Sequence, residues 1–160
     1  MAGKKIIVCD MDKCAGCELC EYACSIYKDG EINWNRARIR HIRIEPIYDI
    51  AILCRKCESP ECMRACPREA ISVIGDSSVM IDEEKCNGCG WCVEACDFGA
   101  MRLDEVNDHA YTCDFCAEYE QPKCVEVCPF EALEFTTLDQ VSFDKGKRAL
   151  MRVIQEKGAG

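Results

Sequence analysis

The chain has 160 residues, 17 of them cysteine, and a formal charge of −9 from 20 basic and 29 acidic side chains. One or two small domains is the natural organisation at that length, and the acidity argues against nucleic acid and anionic lipid as partners. Cysteine at about one residue in ten must supply part of what a hydrophobic core supplies elsewhere, through disulfides or through metal.

Met1-Ala2-Gly3-Lys4-Lys5, followed by Ile6-Ile7-Val8, holds no apolar stretch long enough for a signal peptide and no twin-arginine pair. A cytoplasmic chain is expected, where thiols stay reduced and dense cysteine means metal. The apolar run reads as a strand carrying Cys9, a buried structural thiol outside the motifs that follow. The first motif is Cys14-x2-Cys17-x2-Cys20-x3-Cys24, with Gly16 between its first two cysteines.

No cysteine occurs from Ser25 to Leu53. Within that interval Arg38-Ile39-Arg40-His41-Ile42-Arg43-Ile44 alternates in part like a strand. The group Arg36, Arg38, Arg40 and Arg43 reads as the solvated face of an edge strand or as a face that docks onto a larger subunit. Ile50 to Leu53 is among the longest apolar runs, far short of the roughly 18 residues a membrane span needs, so no direct membrane insertion is expected.

Cys54-x2-Cys57-x4-Cys62-x3-Cys66-Pro67 comes next. Ile71 to Ile74 and Val79 to Ile81 then flank Gly75-Asp76-Ser77-Ser78 and read as a hairpin. The third motif, Cys86-x2-Cys89-x2-Cys92-x3-Cys96, repeats the spacing of the first and has Gly88 in the place of Gly16. A second hairpin, Met101 to Leu103 with Ala110 to Thr112, leads to Cys113-x2-Cys116-x7-Cys124-x3-Cys128-Pro129. Leu150, Val153 and Ile154 stand at helical spacing in Lys145 to Lys157, which reads as an amphipathic tail helix.

Motifs two and four share a proline two residues before the third cysteine, Pro60 and Pro122, so the sequence is a tandem duplication of a two-motif unit. An alanine stands at one offset after the fourth cysteine in three motifs, as Ala70, Ala100 and Ala132.

A C-x2-C-x2-C loop delivers three thiolates to three irons of a [4Fe-4S] cube, while the fourth cysteine turns away toward a second cube, so such motifs work in pairs. Glycine allows the backbone to approach closely at Gly16 and Gly88, and Pro67 and Pro129 fix the exit from the loop. Trp91 and Phe115, inside motifs three and four, are expected to exclude water beside a cluster. Structural zinc uses two separated pairs rather than three thiolates and a fourth at x3. A disulfide framework explains neither the equal spacings nor the lack of a signal peptide. Only two histidines occur, His41 and His109, with no Ser/His/Asp or Cys/His arrangement, so no catalytic residue is assigned. His109 reads as a surface or packing residue.

With its sixteen motif cysteines, Pro67 and Pro129, the stretch from about Lys4 to Phe135 resembles the four-cluster iron-sulfur subunits related to that of dimethyl sulfoxide reductase. Its small size looks most like the ferredoxin-like subunits of tungsten aldehyde oxidoreductases and benzoyl-coenzyme A reductases. Ser25 and Asp97 depart from the proline that follows the fourth cysteine in simple two-cluster ferredoxins.

The resemblance implies an α+β fold of two ferredoxin-like modules, one nested within the other: an outer module of 1–50 and 104–142, an inner one of 51–103, and a tail helix of 143–160. It also implies four [4Fe-4S] clusters, held by Cys14, Cys17, Cys20 and Cys128; by Cys113, Cys116, Cys124 and Cys24; by Cys54, Cys57, Cys62 and Cys96; and by Cys86, Cys89, Cys92 and Cys66. Loaded in that way the chain carries a charge of about −17, taking each cube with its thiolates as about −2. The implied role is a non-catalytic electron-transfer subunit between a tungsten- or molybdenum-pterin oxidoreductase subunit and an external carrier, a flavin subunit or a soluble ferredoxin. A CO dehydrogenase, formate dehydrogenase or hydrogenase partner, a free polyferredoxin, and a zinc-bound assembly module are the other readings.

Overall fold

The computed structural model describes residues 4–45, 48–75, 77–104 and 106–158, with side chains as far as 151. Met1 to Gly3, Asp76 of the expected turn and the last two residues lie outside the described residues, as do the side chains of Val153 and Ile154.

Short strands pair two by two, always antiparallel. Three pairs are local: β2 (Arg40–Ile44) with β3 (Tyr48–Ile52), β4 (Ile71–Ile74) with β5 (Ser78–Ile81), and β6 (Arg102–Asp104) with β7 (His109–Tyr111). The fourth joins distant segments, since β1 (Lys5–Cys9) pairs with β8 (Leu133–Thr137). The 71–81 hairpin forms as expected. Both strands of the second hairpin lie one residue nearer the turn than its apolar residues suggest, because Asp104 anchors the turn: its Oδ1 accepts from the backbone N–H of Val106 and of Asn107.

The strand expected from Arg38 begins only at Arg40. Trp34–Arg36 instead forms a 3₁₀ turn capped by Asn33, whose side chain accepts from Asn35 N–H at 3.1 Å.

Three helices are single turns: α2 (Glu61–Arg64), α3 (Trp91–Glu94) and α4 (Lys123–Glu126). The helix of motif one, α1 (Leu19–Asp29), runs on past Cys24. Where Pro67 and Pro129 follow the corresponding cysteine, the chain leaves the helix. Here Ser25 stands in that place, fully buried, its hydroxyl donating to Tyr22 C=O and accepting from Asn33 N–H. Gly30, at φ 75°, then closes the helix.

The tail helix, α5 (Leu138–Gly158), starts within the stretch assigned above to the outer module. Arg148 Nη1 ties it to Asp10 Oδ2 at 2.6 Å.

The strand registers expose the duplication. Cys9 faces Leu133 across β1–β8 as Ile81 faces Ile71 across β5–β4. The next amide bonds alike in both, Asp10 N–H to Ala132 C=O at 2.7 Å and Asp82 N–H to Ala70 C=O at 2.8 Å. Likewise His41 pairs with Ala51 as Leu103 pairs with Ala110. Ile7, Ile39 and Leu53 are the most completely buried aliphatic side chains, joined in the core by Ile71, Met101, Phe115 and Leu133 and by many buried alanines and cysteines.

Candidate metal centres

Each motif is shaped by a few strained or capped backbone positions. Gly16 and Gly88 lie at φ +64° and +65°, a left-handed conformation that disfavours a Cβ. A Cβ on Gly16 would meet the Asp49 carboxylate at 2.5 Å, and one on Gly88 the Asp108 carbonyl at 2.8 Å. The glycines therefore make room for the adjoining β2–β3 and β6–β7 hairpins. Pro60 and Pro122 stand at the N-caps of α2 and α4, whose single turns bury the third cysteines Cys62 and Cys124.

After the fourth cysteines Cys66, Cys96 and Cys128 the chain turns through Glu69, Gly99 and Glu131, all at positive φ. That turn aims the following amide back at the sulfur. Ala70 N–H donates to Cys66 Sγ at 3.3 Å, Ala100 N–H to Cys96 Sγ at 3.4 Å and Ala132 N–H to Cys128 Sγ at 3.3 Å. The recurrent alanine thus marks a hydrogen-bond donor to sulfur, a role its residue type does not announce. In motif one, Cys24 inside α1 takes its N–H from Arg38 at 3.2 Å.

Two open cavities gather cysteines from different motifs. One is lined by Cys14, Cys17 and Cys20 together with Cys128. The other is lined by Cys86, Cys89 and Cys92 together with Cys66. Cys17 and Cys89 are exposed at their rims, whereas Cys24, Cys54, Cys62, Cys113, Cys116 and Cys124 are buried.

The buried thiols influence one another electrostatically. Cys124 is pushed up by burial first and then by Cys24, Cys116 and Cys20. Cys113 is pushed up by burial, with Cys124 and Cys24 adding to it. Burial raises Cys62 to about 11, with Cys96 and Cys54 adding. It also raises Cys92 to about 11, with Cys86, Cys89 and Cys66 contributing. So many thiolates in so dry a space require positive charge among them.

Soft all-sulfur donors that receive backbone N–H bonds suit an iron-sulfur cluster. Among the described residues no three His, Cys, Asp or Glu side chains are arranged to hold a single metal ion.

The other singled-out residues fall out differently from the sequence reading. Phe115 is buried and stacks on Phe135, with Lys56 Nζ 4.2 Å from its ring centroid. Trp91 departs from the expectation, because it is 60% exposed at the start of α3 and lines neither of these two cavities. The arginine group is largely engaged inside the chain. Arg36 reaches Asp104 at 3.1 Å, Arg38 reaches Asp29 at 3.3 Å and Arg43 reaches Asp49 at 2.9 Å, which leaves Arg40 exposed. His109 lies 3.6 Å from Glu83 at the surface. His41, passed over in the sequence, is nearly buried, lines the first cavity and sits 2.6 Å from Asp49. Its only sequence signal was its place in the β2 alternation.

Over residues 47–138, more than half of its length, the chain matches the profile of the family described as 4Fe-4S dicluster domain. This protein belongs to that family.

Among its dicluster relatives, it is 35% identical over 158 residues to the B subunit of anaerobic dimethyl sulfoxide reductase of Escherichia coli (strain K12), covering 88% of this protein and 77% of that one. It is 39% identical over 118 residues to the polyferredoxin-like subunit of aliphatic sulfonate oxidoreductase of Pyrococcus furiosus, covering 73% and 67%. In fold alone it resembles the active site complex BamBC of benzoyl-coenzyme A reductase, with a TM-score of 0.51 over 98% of this protein and 97% of that one at 23% identity. Short antiparallel strand pairs with short helices, as in ferredoxin-like subunits, bear out the α+β class. Membership in the dicluster family, with this many cysteines, supports iron-sulfur clusters as the cofactor. No helix among the described residues is long and apolar enough to cross a membrane.

Proposed function

We propose that the chain is a non-catalytic electron-transfer subunit that holds four [4Fe-4S] clusters and joins a catalytic oxidoreductase subunit to an external carrier. The observation that carries this reading is the meeting of Cys128 with Cys14, Cys17 and Cys20 around one cavity, matched by Cys66 with Cys86, Cys89 and Cys92 around another. Both support the crossed pairing of motifs. The mutual influence of Cys113, Cys124 and Cys24, and of Cys54, Cys62 and Cys96, supports the two remaining sets.

When bound, each cube supplies the capacity to take or give one electron. The chain supplies position and insulation. Cys20 of the first set influences Cys124 of the second. Thr112, next to Cys113, influences the Cys54 thiol, so the second set adjoins the third. Cys92 of the fourth set influences Cys62 of the third. The sets therefore follow one another in a row. Its two ends are the sets with the exposed thiols Cys17 and Cys89, and its two middle sets hold no exposed thiol.

The outer module of 1–50 and 104–142 and the inner module of 51–103 are two ferredoxin-like halves of that row. The pairing of β1 with β8, which brackets all four cysteine motifs, favours the nesting. Relatives named as subunits of dimethyl sulfoxide reductase and aliphatic sulfonate oxidoreductase favour a catalytic oxidoreductase partner; we take that partner to be of the tungsten- or molybdenum-pterin type and the complex to be cytoplasmic.

Paramagnetic resonance of reduced single-cysteine variants tests the reading. Cys66→Ser perturbs the same signal as Cys86→Ser if the fourth cysteine crosses over. Should it instead match Cys54→Ser, the crossed sets and the row built on them are wrong, and a colourless, zinc-loaded chain would remove the redox role altogether.

A further inference from the structure

The two exposed ends of the row are built from equivalent parts, yet one hydrogen bond differs between them. At the inner end Ala110 N–H donates directly to Cys86 Sγ, the first cysteine of motif three, at 3.3 Å. Ala51 is its counterpart at the outer end, since it faces His41 as Ala110 faces Leu103 and stands three residues before Cys54 as Ala110 stands before Cys113. The Ala51 N–H does not go to Cys14. It donates to Cys9 Sγ at 3.4 Å, and Cys9 lies close enough to Cys14 for the two thiols to influence one another.

Cys9 occupies the place that Ile81 fills at the inner end. Each is the strand residue five before the first cysteine of its motif, and each faces the first residue of the partner strand, Leu133 or Ile71. An isoleucine can neither accept nor donate a hydrogen bond, so at the inner end the amide reaches the ligand sulfur unimpeded. A cysteine intercepts it.

We propose that Cys9 is a positioning residue that tunes the outer exposed cube, by taking the Ala51 N–H for itself and offering Cys14 only its own thiol S–H. The inference rests on the four-cluster reading above. Reduction adds negative charge to a cube and its thiolates, and donors to those sulfurs stabilise the reduced form and raise the potential. A thiol S–H is a weaker donor than an amide N–H. The relay through Cys9 therefore holds the cube on Cys14 at a lower potential than direct donation from Ala51 would. This gives the seventeenth cysteine, outside all four motifs, a function that needs no bond to iron.

The test is an exchange between the two ends, read by redox titration of the cluster-loaded chain with paramagnetic detection. Cys9→Ile makes the outer end like the inner one, and the midpoint of the cube on Cys14 is expected to rise while the other three stay in place. Ile81→Cys is expected to lower the midpoint of the cube on Cys86. Cys9→Val repeats the first change with a smaller side chain, should isoleucine be poorly accommodated. Iron content stays at the wild-type value in all three.

Unmoved midpoints, or a fall in the Cys9 variants, would overturn the proposal. Loss of one cube's iron in those variants would overturn it as well, because Cys9 would then be a ligand. A failure of the underlying reading is separate, since it is seen in the wild-type chain as fewer than four one-electron couples.

Discussion

Lys28 Nζ lies 2.7 Å from Asp114 Oδ2, which clamps the helix that carries Cys24 to the loop that carries Cys113 and Cys116. Glu118 Oε1 accepts from the same ammonium at 2.5 Å, and the lysine side chain is only 7% exposed. Burial pulls the ammonium down, but the bonds to Asp114 and Glu118 outweigh it and leave Lys28 raised.

Lys28→Met removes both bonds, and because Asp114 and Glu118 are 37% and 50% exposed and stay solvated the expected cost is about 1 kcal/mol. The measurement is the anaerobic rate at which visible absorption is lost on warming, faster in the variant. Glu118 is held below its ordinary carboxyl value, chiefly by the Lys28 bond. Its contribution is therefore complete above a pH of about 4.3 and disappears as pH falls through the lowered value. The gap between wild type and variant accordingly narrows in acid. A gap that widened there would contradict the assignment.

Iron analysis of anaerobically purified chain is expected to give about sixteen atoms per chain, from four cubes of four. About half that number would mean that one module is empty, and an excess of zinc would mean that none is loaded with cubes.

Removing the clusters is expected to remove most of the fold. Few large aliphatic side chains are deeply buried, and cysteines such as Cys24, Cys54 and Cys113 occupy core positions between them. A core this thin does not offset the chain entropy of 160 residues. Chelation or oxidation should abolish most of the far-ultraviolet circular dichroism, and an apo-chain that kept it would show that the aliphatic contacts suffice.

Two glycine substitutions separate backbone strain from crowding. Gly99 has φ +60° with open space where a Cβ would go, so Gly99→Ala should cost about 1–2 kcal/mol from the left-handed conformation alone. Gly88 adds an overlap with the Asp108 backbone. Gly88→Ala should cost clearly more, and cluster loss under mild heating should rank the two variants in that order.

The sequence announces the ligands and conceals their surroundings. Sixteen thiols in four related spacings admit few chemistries, so the cysteine motifs, the duplication and the hairpin around Gly75 can be read from one dimension. Cys9, His41 and Ala51 acquire meaning only through the register of β2–β3 and its approach to β1, a relation between segments that no local pattern carries. Trp91 and Phe115 each immediately precede a motif cysteine, yet Trp91 is exposed and Phe115 is buried. Trp91 opens the α3 turn, whereas Phe115, at φ 61°, is turned inward onto Phe135. The early start of α5 was hidden by Leu138 to Gln140, which carry no strong helix signal beyond the Thr137 hydroxyl that accepts from Gln140 N–H.

The pairing of β1 with β8 bears on how the protein is made. In the crossed pairing proposed above, Cys14, Cys17 and Cys20 leave the ribosome more than a hundred residues before Cys128, so the outer set nearest the N-terminus waits, reduced and incomplete, through most of translation. The inner sets, from Cys54 to Cys96, complete within one short stretch of nascent chain. Cluster delivery to the inner module can thus begin while the outer one is still open, and the final strand, β8, closes the assembly when it pairs with the first.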